Sequence, residues 1–355
     1  MIEMDSLNIP YILRKIFVYL PDSNRDSISH VCSIFRENSE WVDPTITLVR
    51  CMLLKDHKLA NEICDTVISH IRISKYLFEL ACNSGNIQIV NLCLDQSISK
   101  SINLFSSDKT LLYIVMASQN GHLAVVERLL MDPRIDPSVN NNYAFNAASQ
   151  NGHLSVVERL LMDPRIDPSV TNNYAFRLAS EKGHLLVVER LLMDPRVDPS
   201  VMQNVTICNA SRGGHLSVVE RLLMDPRVDP SADNNMAICL ASENGYLSVV
   251  DRLLMDSRVD PSARNNYAIY LASQEGHLSV VDRLLMDSRV DPSADNNKAI
   301  RDATKRDHLA VVNRLLMDPR VDPYDWDNWC LYAASKNGNL AMIKRLLQDP
   351  RVKVW

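Results

Sequence analysis

Imidazoles recur along this chain at a fixed interval, at His122, His153, His184, His215, His277 and His308, with Tyr246 standing where a further one is due. A row of imidazoles could ligate metal or relay protons. Zinc needs its ligands gathered about 2 Å from one ion, whereas equivalent positions in successive copies of a unit lie about one unit apart. These histidines are therefore read as structural, each tying its own helix turn. Methionine keeps the same interval, at Met131, Met162, Met193, Met224, Met255, Met286 and Met317. Its thioether is read as core filler between helices, with soft-metal binding as the alternative. Neighbouring carboxylates and guanidinia such as Glu158–Arg159 are assigned to a solvated face.

Other chemistry finds little purchase. The eight cysteines, at 32, 51, 64, 82, 93, 208, 239 and 330, contain no CxxC pair, so reduced thiols are expected rather than a zinc site or a disulfide framework. "SRGG" at Ser211–Gly214 is too short for a phosphate loop. Any Ser, His or Asp constellation would be duplicated with the unit, unlike an active site. The expectation is a protein that is not an enzyme, with no catalytic residue, no metal and no cofactor.

The elements that carry these residues are copies of one unit. Glycine recurs at 121, 152, 183, 214, 245 and 276, and Asp307 and Gly338 continue the series in steps of 31; a diverged copy surrounds Gly85. About nine units span residues 76–355. Within one, "YAFRLAS" (Tyr174–Ser180) and "HLLVVERLLM" (His184–Met193) carry apolar residues at helical spacing. The glycine suits a left-handed C-cap between them, a conformation Asp307 also tolerates. Asn142, Asn173, Asn204, Asn235, Asn266, Asn297 and Asn328 precede the first helices and are read as N-caps, and the prolines of "DPRVDP" end the second. Each helix falls short of the roughly 12–15 residues at which isolated helices become marginal. Stacking must supply the stability, as in a solenoid.

The unit resembles the ankyrin repeat: "ASxxGHLxVVxxLL", as in Ala179–Leu192, follows the family pattern in seven units. Where the family has TPLH, this chain has "YAFN", "YAFR", "VTIC", "MAIC", "YAIY" and "KAIR", so the inter-unit bonds of that Thr and His are expected to be missing. The resemblance implies an all-α ankyrin-repeat solenoid of helix–turn–helix units with a 31-residue period and short hairpin or loop fingers. It also implies partner binding through fingers and first helices. There the residues change from unit to unit while the packing positions stay constant. The expected target-binding residues are Thr171, Met202, Arg212, Asp233, Arg264, Asp295, Lys305, Trp326 and Tyr332, with Trp326, Trp329 and Tyr332 the densest group of anchors.

Residues 1–75 lack the unit. Leu13, Ile16, Phe17 and Leu20 form an apolar stripe after Ile9–Pro10, and Ile28, Val31, Cys32 and Phe35 form a second. The stretch resembles an F-box: Ile9–Pro10 stand for its leading Leu-Pro, Ile16, Phe17 and Leu20 match in place, and Val31–Cys32 fall at the expected distance. One residue is missing after Pro10, and Phe35 replaces a tryptophan. The resemblance implies a three-helix F-box-like domain over 1–45, a helical linker or cap over 46–75, and a cullin-ligase adaptor bound by Ile9, Pro10, Leu13, Ile16, Phe17, Leu20, Val31, Cys32 and Phe35. An F-box joined to such an array also resembles proteins of large DNA viruses of amoebae.

With 355 residues, 46% hydrophobic and 23% charged, the composition is that of a folded soluble chain. A net charge of -5 offers no electrostatic case for nucleic acid or an anionic membrane. "IPYILRKIFVYL" is interrupted by Arg14 and Lys15 and is too short to span a bilayer. The expected protein is a monomer by itself, in the cytoplasm (the host's, for a viral source) or the nucleus. Its expected function is that of a substrate receptor: the array grips a protein target and the F-box recruits a ubiquitin ligase. The alternative is an ankyrin scaffold or decoy that recruits no ligase.

Overall fold

In the computed structural model, residues 75–99 and 110–352 are described. The F-box-like segment, with Ile9, Pro10, Leu13, Ile16, Phe17, Leu20, Val31, Cys32 and Phe35, lies outside the described residues, as does most of the 46–75 linker. The chain divides into two compact units, Met1–Ile135 and Asp136–Trp355.

The first unit contains α1 (Lys75–Ser84), α2 (Ile87–Ser99), α3 (Thr110–Gln119) and α4 (Leu123–Leu130). Its two helix pairs close on Phe78 and Tyr113, both fully buried, which meet edge to face with ring centroids 4.6 Å apart. Across these pairs His122 Nε2 lies 3.0 Å from the Asn83 carbonyl.

The second unit holds seven pairs: α5 (Val139–Gln150) with α6 (Leu154–Leu161), α7 (Val170–Glu181) with α8 (Leu185–Leu192), α9 (Val201–Arg212) with α10 (Leu216–Leu223), and α11 (Ala232–Glu243) with α12 (Leu247–Leu254). These are followed by α13 (Ala263–Glu275) with α14 (Leu278–Leu285), α15 (Ala294–Lys305) with α16 (Leu309–Leu315), and α17 (Asp325–Asn337) with α18 (Leu340–Leu347). First helices pack on first helices and second on second. In α10 Val218, Val219 and Leu222 are fully buried, as are their counterparts Val249, Val250 and Leu253 in α12. Most of the core is therefore contact between copies. The described residues contain no strand, so the fingers are loops rather than hairpins.

Six successive fingers of the second unit each contain one turn of left-handed backbone. Residues 140–142, 171–173, 202–204, 233–235, 264–266 and 295–297 all have φ between 50° and 63°. Left-handed backbone costs a residue with a side chain roughly 1–2 kcal/mol, and Asn and Asp adopt it most readily. Asn or Asp fills fourteen of these eighteen positions, which explains the asparagine runs. The asparagine expected as an N-cap closes this turn immediately before the right-handed helix, but its side chain does not cap that helix, and Ser138 and its equivalents at the start of the turn make no side-chain cap bond either. The asparagine side chain is buried and reaches the next copy: Asn235 Oδ1 accepts the Asp260 amide at 2.8 Å, Asn266 that of Asp291 at 2.7 Å, and Asn297 that of Asp322 at 2.7 Å. Inter-unit bonds expected to be missing with TPLH are thus made by a different residue.

Histidine supplies a second tie. Nε2 of His184, His215 and His277 lies 2.8–2.9 Å from the carbonyls of Gln150, Glu181 and Glu243 in the preceding copy. A carbonyl only accepts, so Nε2 carries the proton. The expectation that each histidine ties its own turn is corrected: it ties the turn before. Its ring lies so close over the preceding glycine that a Cβ on Gly152 would sit 2.5 Å from the His184 ring. Glycine is needed here both for its φ of 76° and for space. The exception confirms the pairing. Asp307 keeps the left-handed turn (φ 63°), and the next copy carries Asn339 in place of the ring, its Nδ2 donating to Asp307 Oδ1 at 3.3 Å.

The third tie closes the turn after the second helix. In Asp225–Arg227 the guanidinium spans both carboxylate oxygens at 2.9 and 2.7 Å, the Arg227 amide donates to Oδ1, and Nη1 reaches the Val197 carbonyl of the preceding copy at 3.1 Å. Asp256–Arg258 and Asp287–Arg289 repeat this geometry although Ser257 and Ser288 replace the first proline. The bracket therefore shapes the turn, and that proline is dispensable.

Two outcomes follow. Asn339→His beside an intact Asp307 should destabilise the array, while Asp307→Gly with Asn339→His should recover the loss; a double-mutant cycle by chemical denaturation should read a coupling above about 0.5 kcal/mol. Second, the bracketing carboxyls of Asp194, Asp225, Asp256, Asp287, Asp318 and Asp349 are held below their ordinary range, chiefly by the arginine hydrogen bonds. Their contribution is complete above the unfolded value of about 3.9 and is lost as pH falls through the depressed folded values. Thermal midpoints should hold steady above about pH 5 and fall steeply below about pH 4; a midpoint unchanged into strong acid would contradict this role.

Candidate interaction surface

The fingertips and first helices present the residues that differ between copies. Thr171, Met202, Asp233, Arg264 and Asp295 open the left-handed turns of successive fingers, and all are exposed. Neighbouring tips touch: Arg264 Nη2 reaches Asp233 Oδ1 at 2.7 Å and the Asp233 carbonyl at 2.9 Å. Trp326 occupies the matching register in the first turn of α17. At the other end of the first helices Arg212 and Lys305 are exposed, and Tyr332 is 58% exposed. The expected target-binding residues therefore occupy equivalent positions on stacked elements, those of the tips in one row.

Sequence reading missed a cleft between two fingers, lined by Arg264, Tyr267, Tyr270, Pro292, Asp295 and Lys298. Lys298 Nζ sits 4.4 Å above the Tyr270 ring and 3.3 Å from Asp295. Tyr267 and Tyr270 are 5.5 Å apart between ring centroids. The Tyr270 hydroxyl donates to Gln274, and burial, together with the Asp302 carboxylate, pushes its pKa up to about 12. Two copies further on, Trp329 and Tyr332 stack with centroids 5.4 Å apart. A signal existed: six residues before the turn glycine the chain reads Asn146, Arg177, Cys208, Cys239, Tyr270, Arg301 and Tyr332, so the aromatics gather late in the array.

The methionine row corrects an expectation. Met131, Met162, Met193, Met224, Met255, Met286 and Met317 are 72–75% exposed and fill no core. Each follows the buried leucine of its second helix by two residues, roughly 200° around a helix of 3.6 residues per turn. Apolar character suggested burial, and helical angle forbids it. The Glu–Arg face is partly exposed, as expected, but its charges also meet between copies: Arg283 reaches Asp251, and Arg314 reaches Asp282 at 2.6 Å. Among the described residues the histidines, cysteines and carboxylates form no group able to hold a metal ion, and Cys82, Cys93, Cys208, Cys239 and Cys330 are free thiols, buried. No described helix is long and apolar enough to cross a membrane.

Stacked helix pairs with a constant core and a changing outer row define a repeat protein built for binding. The family described as ankyrin repeats (3 copies) matches residues 114–203, 207–296 and 236–327. These matches cover more than half of the chain, which belongs to the ankyrin-repeat family. Ankyrin repeats indicate a role in protein–protein interaction. No curated protein matches the chain.

The exposure of the methionines makes a clear contrast with the leucines beside them. Met224→Gln should change unfolding free energy by less than about 0.5 kcal/mol. Leu222→Asp, two residues away and fully buried, should cost several kcal/mol, as an unpaired charge in the stack does. Equal losses in urea titrations of the two variants would overturn this assignment of faces.

Proposed function

We propose that the chain is a substrate receptor: the array holds a protein target on its fingers and first helices, and the N-terminal F-box-like segment recruits the adaptor of a cullin-type ubiquitin ligase. The observation that carries this reading is the presence in one chain of an F-box-like stripe, Leu13, Ile16, Phe17 and Leu20, ahead of an array whose outer positions vary while its core repeats. An apolar stripe on a segment of some 45 residues has little core of its own to enter, and an adaptor would cover it. Within the second unit, asparagine and arginine ties between copies, with histidine ties from His184, His215 and His277, hold the variable positions on a common framework. In this arrangement the protein brings two others together and needs no chemistry of its own.

The test is adaptor capture. Unmodified protein should co-precipitate the adaptor, and Ile16→Asp with Phe17→Asp should abolish capture while residues 110–135 keep their hydrogen-exchange protection. Burying one such side chain contributes roughly 1.5–3 kcal/mol, so losing two removes most of a modest affinity. Failure of the unmodified protein to retain the adaptor would leave the scaffold or decoy reading in its place.

A further inference from the structure

The variable face is uneven, and its unevenness points to the chemistry of the partner. Of the Tyr and Trp residues on the first helices α5 to α17, Tyr143 and Tyr174 stand alone near the start. Tyr267, Tyr270, Trp326, Trp329 and Tyr332 gather between residues 263 and 337. Rigid aromatics of this kind dominate binding energy at interfaces.

The charges in the same region are mostly spoken for. Asp233 is paired with Arg264 at 2.7 Å, Asp295 with Lys298 at 3.3 Å, and Glu275 with Arg306 at 2.6 Å. Asp302 faces the Tyr270 hydroxyl, and Asp307 accepts from Asn337 and Asn339. Two cations are left over. Lys305 and Lys336, in the last turns of α15 and α17, are exposed, and neither makes an ion pair among the described residues. Lys336 follows Tyr332 by four residues and so shares its face of the helix. The uncompensated charge is thus two discrete ammonium groups beside a half-buried Trp329 and an exposed Tyr332 stacked on it. A polyanion such as nucleic acid needs a continuous basic track, which the interspersed Asp295, Asp302 and Asp307 interrupt.

We infer that the C-terminal part of the array, around Tyr332, Trp329, Lys305 and Lys336, binds a short acidic peptide segment, its aromatic or apolar side chains packed on the Trp329–Tyr332 stack and its carboxylates on the two lysines. This rests on the reading of the variable face as the target-binding face, and not on ligase recruitment.

The experiment is fluorescence anisotropy on the full chain with a labelled peptide alternating Glu and Phe, a Lys–Phe counterpart, and a labelled single-stranded oligonucleotide. The Glu–Phe peptide should bind, with an affinity that falls as sodium chloride rises. Lys305→Ala with Lys336→Ala should weaken it by about tenfold or more and flatten the salt dependence, and Tyr332→Ala should weaken it by about tenfold with the salt dependence kept. All three positions are exposed, so circular dichroism should show unchanged helix content. No binding of the Glu–Phe peptide overturns the inference, as does equal binding of the Lys–Phe peptide or tighter binding of the oligonucleotide. Binding that is lost with Thr171→Ala and Met202→Ala, and kept in the lysine variant, keeps the variable face as the target-binding face and removes this assignment within it.

Discussion

The second helix of each copy in the second unit has seven or eight residues, about two turns, and in water a helix of that length does not hold itself together. Its hydrogen bonds survive because Val and Leu on its inner side are sealed between the copy before and the copy after. That dependence decides most of what else is seen. A copy that needs both neighbours must present two complementary faces, and a chain that repeats one sequence presents them automatically.

The polar ties obey the same constraint. Three kinds of bond cross the joints in the middle of the array: the asparagine of the left-handed turn to the next finger, the arginine of the Asp–Arg bracket to the preceding loop and, at His184, His215 and His277, the ring to the preceding carbonyl. Each satisfies a backbone group at the end of an element, where an unpaired donor or acceptor would be costly. Each also requires the neighbouring copy to be in register. The left-handed residues are intelligible in this light: a conformation that costs free energy locally is kept because it aims Asn235 or Asn266 at the next finger. Asp307 and Asn339 show the ties changing together, a side chain gained on one copy and a ring lost on the next.

Such a framework separates the residues that hold the stack from those that meet a partner. The core valines and leucines hardly change, while the fingertips run from Thr171 through Arg264 to Asp295 without altering the backbone beneath them. The left-handed turn takes its φ from the joint it serves, so even Met202 and Arg264 sit in it. This is how a repeat protein can vary its recognition without varying its fold. The exposed methionines belong to neither group, since no described contact in the array explains them.

Much of this was legible in the chain itself. The 31-residue period, the helix pairs, the buried Val–Val–Leu pattern and the glycine turn follow from periodicity and local conformational cost, which act within a few residues and leave their mark in sequence. The variable rows were legible for the same reason: a position free of packing is free to change. Tertiary structure alone decided where the polar side chains went. Asn235 could cap its own helix or reach the next copy, and the histidine could tie its own turn or the previous one; both choices are chemically equal in sequence and differ only in what stands opposite. The side of Met224 was not legible because apolar character says that a side chain prefers burial, while its direction is set by its place two residues after Leu222, at the C-cap of α10. The cleft at Tyr270 and Lys298 was hidden for a similar reason, being assembled from two copies whose facing residues lie some thirty positions apart.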